Sequence, residues 1–265
     1  MSTKFFTRGI FALLILGAGT LLTGCKNKID PFDSVISGIV SNMVTVQGGT
    51  FTMVPGRNVT LSNFLMSKHQ VTQEQWYAVM GTSPSYFTGA TLPVERVTWH
   101  MIVGSAGATM AIDGMTYYED GFVYKLNQLT GKKFRLPTEA EWQYAASGGR
   151  SPHGYEYSGS NEPNDVAWHS GNSGFTTHPV GYKAPNNLGL YDMSGNVFEW
   201  CYDAYSVTLA TGTFTNPIGT AGSLRVLRGG SWNLNASNAT VLSRNNYAPE
   251  GAYNHIGFRL ACSVN

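Results

Sequence analysis

The sequence predicts an α+β fold with little regular secondary structure. Three observations carry that expectation. Glycine (31) and proline (11) are frequent in a chain of 265 residues, so turns are many. Two Thr-x-x-Gln/Glu capping boxes, Thr72 with Gln75 and Thr138 with Glu141, mark the starts of short helices. Strand-like apolar runs are short and scattered between Val44 and Ser263.

The chain opens with a basic Lys4 and Arg8, then an apolar stretch from Ile10 to Leu22. That stretch is short for a membrane span and has the layout of a secretory signal. It ends in Leu22-Thr23-Gly24-Cys25, which resembles a bacterial lipobox. The expectation is a signal peptide over residues 1–24, lipidation of Cys25 and a polar tether over 25–42. An ordinary secretory signal that holds a cysteine is the alternative. Acyl chains on Cys25 would anchor the protein firmly to a membrane, at ~0.8 kcal/mol per buried CH₂. The expected location is the bacterial cell surface, with the outer membrane as the anchoring bilayer.

From residue 43 to 265 the chain reads as one domain. The run Val44 to Met53 alternates and turns at Gly48-Gly49, a hairpin signal, and a further strand fits Val59 to Met66. The first capping box begins a helix that Gly81 closes, with Trp76, Val79 and Met80 on one face. Thr98 to Met110 is a helix candidate, and Tyr117 to Leu129 fits a strand or a helix. The second capping box begins a helix with Trp142 and Ala145 inward. Residues 148–187 are Gly-, Ser-, Asn- and Pro-rich, an irregular stretch of the length that is usually functional. Bound cations are one way to hold such a loop. Strand-like runs return at Val197–Cys201, Leu224–Arg228 and Gly257–Ser263.

Composition excludes some functions. Charged residues are 12% of the chain, against roughly 25% in typical domains. The surface is therefore covered by Asn, Ser, Thr, Gly and Tyr. A net charge of +1 provides no electrostatic footprint for nucleic acid. Cys201 and Cys262 lie in apolar runs. A compartment outside the cytoplasm permits them to pair, and two buried free thiols are the other reading.

The motifs occur in a fixed order. Gln47-Gly48-Gly49-Thr50-Phe51 is followed by Val71-Thr72-Gln73-Glu74-Gln75-Trp76 and by Leu92-Pro93-Val94-Glu95-Arg96-Val97-Thr98-Trp99. Next come Phe134-Arg135-Leu136-Pro137-Thr138-Glu139-Ala140-Glu141-Trp142 and Asn187-Leu188-Gly189-Leu190-Tyr191-Asp192-Met193-Ser194-Gly195-Asn196-Val197-Phe198-Glu199-Trp200. Arg228-Gly229-Gly230-Ser231-Trp232 and Gly257-Phe258-Arg259-Leu260-Ala261 complete the set. This series resembles the formylglycine-generating-enzyme (sulfatase-modifying-factor) domain over residues 43–263. The resemblance implies a C-type-lectin-like α+β fold.

It does not imply the family's chemistry. The family's oxidases carry two cysteines, three residues past the serine of the Gly-Gly-Ser motif and five beyond that. Those positions here are Leu234 and Ala239. Neither side chain binds copper or carries a redox step, so no copper and no enzyme activity are expected. Glu139 and Glu141 sit in the first turn of a predicted helix, where capping and dipole roles account for them. The resemblance also implies a structural Ca²⁺, held by the side chains of Asp192 and Glu199 and the carbonyls of Gly195 and Val197. The other reading of those two acids is that they cap turns. A second family cation site, near Asn164, Asp165 and Gly174, has Ser173 where the family has an acid.

The segment 232–255 is rich in Asn and nearly free of charge, between two strong family motifs. It resembles the variable segment of proteins diversified by retroelements, in which template adenines are mutated and AAC codons become any NNC codon. Asn233, Leu234, Asn235, Ser237, Asn238, Asn245, Asn246, Tyr247, Tyr253, Asn254 and His255 all fall within that codon set. With Trp232 they form the expected ligand-binding site. Tyr supplies rigid amphipathic area and Asn and Ser supply adaptable hydrogen bonds, as in antibody loops. The expected function is a surface-displayed, non-catalytic lipoprotein that binds a protein or glycan ligand through a hypervariable site. A fixed carbohydrate-binding lectin or adhesin, and a degenerate accessory lipoprotein of the sulfatase-modifying type, are the alternatives.

Overall fold

A computed structural model of the chain describes residues 31–264. The expected signal peptide and the lipidation site Cys25 lie outside them.

The structure differs from the expected tether over 25–42, because Pro31–Ser41 is a helix, α1. Val35, Ile36, Ile39 and Val40 recur at helical spacing. Ile39 is buried in the main core, and Ile36 and Val40 pack against it. This apolar face fastens the segment to the domain.

Four strands follow: β1 (Met43–Val46), β2 (Thr50–Val54), β3 (Arg57–Thr60) and β4 (Phe64–Ser67). The Gly48-Gly49 turn does not close a hairpin. β1 pairs with β4, placing Val44 opposite Met66, while β2 pairs with β3. A Cβ on Gly48 would lie 2.1 Å from the Leu61 carbonyl oxygen. Gly48 therefore marks a close approach of two backbones, and the hairpin turn is at Gly56, which has φ 79°.

Both capping boxes form as the sequence predicts. Helix α2 (Gln73–Met80) starts at Thr72 and ends at Gly81 in the left-handed region, with Trp76 buried. The candidate helix at 98–110 is only α3 (Trp99–Val103), followed by strand β5 (Thr109–Ile112). The ambiguous run at 117–129 is both things: β6 (Met115–Tyr118) ends in it and α4 (Phe122–Thr130) begins in it. Then come β7 (Phe134–Arg135) and α5 (Glu139–Ala146), whose Trp142 and Ala145 are fully buried. The long irregular stretch holds only α6 (Pro163–Val166) and β8 (Ala167–Trp168) among its described residues.

The C-terminal half supplies β9 (Ser194–Gly195), β10 (Phe198–Ala204), β11 (Gly212–Thr215), β12 (Arg225–Arg228), β13 (Arg244–Tyr247), β14 (Ile256–Gly257) and β15 (Ala261–Ser263). One sheet runs β1-β4-β15-β7, so the last strand lies between early ones. A second runs β13-β12-β10-β14, and β11-β3-β2 forms a third. Trp76 stacks on Phe122 at 5.2 Å in the larger core, which also takes in Trp200 and Phe258. Cys201 and Cys262 are buried and unpaired, the second of the two expected readings.

The two sheets are joined through one buried ion pair. Arg259 and Glu199 are both 0% exposed. Arg259 Nε and Nη2 donate to the two carboxylate oxygens at 2.6 and 2.7 Å, and Trp142 Nε1 donates to the same carboxylate at 2.6 Å. The remaining guanidinium protons reach Ser67 O on β4 and Tyr191 O in the loop before β9. Removing one partner of a buried pair leaves the other charge uncompensated. Glu199→Ala is expected to cost about 3–5 kcal/mol in a urea unfolding measurement, the range for breaking a buried pair.

Candidate functional site

The segment 232–255 is fixed to the scaffold largely through its main chain. Arg228, 0% exposed, donates through Nη1 to Ser243 O and through Nη2 to Val241 O at 3.0 Å and to Gln143 Oε1 at 2.7 Å. Ser194 Oγ donates to Ala239 O at 2.7 Å, and Ser173 Oγ to Trp232 O at 2.8 Å. The amide of Ser170 reaches Leu234 O, that of Trp99 reaches Pro249 O, that of Arg96 reaches Tyr253 O and that of Phe198 reaches His255 O. The strand in the middle of the segment, β13, is paired along its length with β12, with Leu227 opposite Asn245 and Arg225 opposite Tyr247.

A charged side chain of the segment shares in this fastening. Arg244 donates to both oxygens of Glu139 at 2.6 and 2.8 Å. Glu139 is thus an ion-pair partner of the segment as well as a first-turn acid of α5. Glu141 has the expected capping role, accepting from Thr138 N at 2.9 Å, and it is also gripped by Arg135 at 2.7 Å.

The structure brings the expected binding residues into two groups. Strand alternation places Asn245 and Tyr247 on one face of β13, and Asn246 on the other with Arg244. Tyr247 meets Tyr253 at 4.6 Å between ring centroids, and Tyr253 meets His255 at 5.6 Å. Asn254 adjoins them, and its carbonyl accepts from Trp232 Nε1 at 3.0 Å. The second group is the exposed turn containing Asn235, Ser237 and Asn238, which rests on Ser170 through Asn235 Oδ1 at 3.2 Å. Asn233 lies between, half-buried, with its Oδ1 accepting from Ser231 Oγ.

Two expected contact residues play a different part. Trp232 is 8% exposed, and its ring edge meets Phe87 at 5.4 Å, so it is a strut under the surface. Leu234 packs against the main core. Sequence reasoning missed Tyr86, 64% exposed, which is in ring contact with Phe87 at 5.1 Å and so extends the aromatic surface. The Ser-Tyr-Phe run after α2 contains the aromatic pair but gives no sign of its partner. His100, 3.7 Å from Glu250, lies at the same border and was missed for the same reason. Burial holds the His255 pKa below the ordinary imidazole value.

The expected calcium loop has an unexpected centre. Gln70 Nε2 donates to Val197 O at 2.9 Å, to Glu199 Oε1 at 3.0 Å, to Asp192 O at 3.2 Å and to Gly195 O at 3.4 Å. The Asp192 carboxylate, expected to be a ligand, accepts from Gly181 N at 2.8 Å, and its main-chain oxygen faces Gln70. Near the second expected site, Asn164 Oδ1 is engaged by His169 and Asn172, and Ser173 Oγ by Trp232 O. The irregular loop is further held by Trp168, stacked on His178 at 3.7 Å between ring centroids and with Lys183 Nζ over its ring, 4.2 Å from the centroid.

The positions of the family's two cysteines carry no thiol: Leu234 is half-buried and Ala239 is buried beside Tyr157 and Val166. Burial raises the Cys201 thiol pKa well above its ordinary value, which leaves it protonated and unreactive. A cavity of about 760 Å³ is lined by Phe51, Tyr144, Arg150, Tyr155 and Asn187 and touches the segment only at Val241 and Leu242. The candidate site is a surface.

Known proteins share the sequence and the fold of this chain. Residues 37–264 match the family described as the sulfatase-modifying factor enzyme 1-like domain. A Paenibacillus barcinonensis protein named Chaperone protein LppX is 34% identical over 88% of this chain and 90% of its own length. The formylglycine-generating enzyme of Thermomonospora curvata is 29% identical over 84% of this chain and 94% of its own. The solved structure of Treponema denticola variable protein 1 superposes with a TM-score of 0.70 at 33% identity, over 84% of this chain and 95% of that one.

Two outcomes follow from the site's construction. Arg228→Met removes the donors to Val241 O and Ser243 O, and hydrogen exchange at the amides of residues 239–247 is expected to speed up relative to β10. Glu95, whose Oε1 accepts from Phe87 N at 2.8 Å, supports the aromatic border, and burial raises its pKa from 4.5 to about 7. The unfolded chain loses that proton first, so this group's contribution to stability falls as pH rises from about 4.5 to about 7. Glu95→Gln is expected to gain melting temperature relative to the parent as pH rises through that window; a constant difference contradicts the assignment.

Proposed function

This chain belongs to the sulfatase-modifying factor enzyme 1-like domain family, and from that premise we propose that it is a lipid-anchored surface protein that binds ligands through residues 232–255 and catalyses nothing. The observation that carries the proposal is the way the segment is held. Arg228, Ser194, Ser173 and the amides of Ser170, Trp99, Arg96 and Phe198 all grip carbonyl oxygens of the segment. Carbonyl oxygens are present whatever side chain a residue carries. The scaffold therefore fixes the shape of the segment and leaves Asn235, Ser237, Asn238, Asn245, Tyr247, Tyr253, Asn254 and His255 free to differ. Such prior ordering lowers the entropy cost of binding. Similarity to a structure named a variable protein supports the same reading.

The ligand is a protein or a glycan at the cell surface, since the Tyr, Asn and His side chains of the segment supply amphipathic area and hydrogen bonds more than fixed charge. The anchor is lipid on Cys25. Diversity comes from a retroelement that rewrites the Asn-rich positions. With Leu234 and Ala239 in the thiol positions, copper-dependent cysteine oxidation has no ligands here. The relative named a chaperone favours a second reading, in which the surface serves one fixed client and does not vary.

The nucleotide sequence distinguishes the two. The proposal expects AAC-type codons at the Asn positions and a nearby near-copy of the segment that differs only at adenines. A gene with neither feature removes the diversification and leaves the fixed-partner reading. For the catalytic half, incubation with copper and a cysteine-containing sulfatase peptide is expected to yield no aldehyde product by mass spectrometry.

A further inference from the structure

The oxygens that the family resemblance assigns to a calcium ion converge here on an atom of the protein itself. We infer that the side-chain amide of Gln70 stands in for that cation, so the Asp192–Glu199 loop of this protein is built and held without calcium.

The geometry rests on convergence. Gln70 is 1% exposed, and its Nε2 lies 2.9–3.4 Å from three carbonyl oxygens and one carboxylate oxygen of a single loop. The identity of the amide atom follows from its surroundings. All four neighbours are acceptors, so an amide oxygen in that place would have no donor, whereas the two N–H protons of Nε2 are shared among them. A calcium ion needs six to eight oxygens at about 2.3–2.6 Å around its centre. The centre of this oxygen set is taken by nitrogen at hydrogen-bonding distance.

Charge leads to the same conclusion. Glu199 is the one carboxylate aimed into the set, and Arg259 already neutralises it through both oxygens. Trp142 Nε1 donates to it as well. A divalent ion placed there would face the guanidinium of Arg259 in a site with no solvent to screen them. Asp192, the other expected acid, turns its carboxylate to the amide of Gly181. Two buried acceptors keep no protein partner among the described residues, Gln70 Oε1 and Asp192 Oδ1. Two oxygens fall well short of a calcium shell and suit a buried water.

The neutral donor has a structural consequence. Asp192, Gly195 and Asn196 have φ of 56°, 80° and 63°, three left-handed positions in a run whose carbonyls at Asp192, Gly195 and Val197 face Gln70. Gln70 fastens that run to the segment before α2, and the run in turn presents Asn196 O to Trp232 N. The binding segment is then supported by a device whose strength does not follow the calcium level of its surroundings.

The test uses the full chain purified in detergent. Bound metal is measured by mass spectrometry after dialysis, and melting temperature is measured in excess calcium and in excess EDTA. The inference expects no stoichiometric calcium and the same melting temperature in both. One retained calcium per chain, or a fall of several degrees in EDTA, overturns it. Gln70→Gly, measured in EDTA, is expected to melt several degrees below the parent because four acceptors lose their donor; a variant that melts at the parent temperature also overturns it. If Gln70→Gly yields no folded protein, the measurements on the parent decide alone.

Discussion

The Glu199–Arg259 pair is the contact on which the loop-rich half of this protein depends. A chain with charged residues at 12% has few ions to bury, and it buries this pair at 0% exposure. The pair is satisfied on every side: by Trp142 from α5, by the carbonyls of Ser67 and Tyr191, and through Gln70 by the loop that leads into β10. Four parts of the fold that are remote in sequence meet at this point. An ion pair without those added donors would not repay its desolvation.

Arg228 repeats the device one layer out. It too is fully buried, and its Nη1 and Nη2 donate to the carbonyls of Val241 and Ser243 and the amide oxygen of Gln143, with Nε 3.8 Å from Glu139. Where Arg259 closes the core, Arg228 holds the segment that lies on it. The formylglycine-generating-enzyme-type scaffold therefore carries Leu234 and Ala239 in a segment whose main chain is still held in place.

Much of the fold was legible in the sequence where local chemistry is decisive. Thr72, Gln75, Thr138 and Glu141 act on backbone donors within three residues, so both capping boxes could be read without knowing the tertiary structure. The ordered motifs carried the fold class in another way, since most of them contribute residues to one of the two main buried cores. What failed was non-local. Gly48 looked like a turn because the Leu61 carbonyl that requires its bare Cα is thirteen residues away in sequence. The polar-looking residues after Cys25 hid an apolar helical face in α1, whose partner is the main core. Its Asn and Tyr content singled out 232–255 as the candidate segment, but Trp232 and Leu234 could not be separated from surface residues without burial. Gln70 gave no sequence signal at all, because its role exists only where three carbonyls from another loop converge.

The central claim is that the scaffold fixes the segment's shape and its side chains are free to vary. The most direct measurement is the melting temperature of unselected members of a library randomised together at Asn233, Asn235, Ser237, Asn238, Asn245, Asn246, Tyr247, Tyr253, Asn254 and His255, with Arg228, Glu139, Trp232, Leu234 and Arg244 kept. The account predicts that most members fold and melt within a few degrees of the parent. A library in which most members are unfolded would show that those side chains build the segment, and would contradict it.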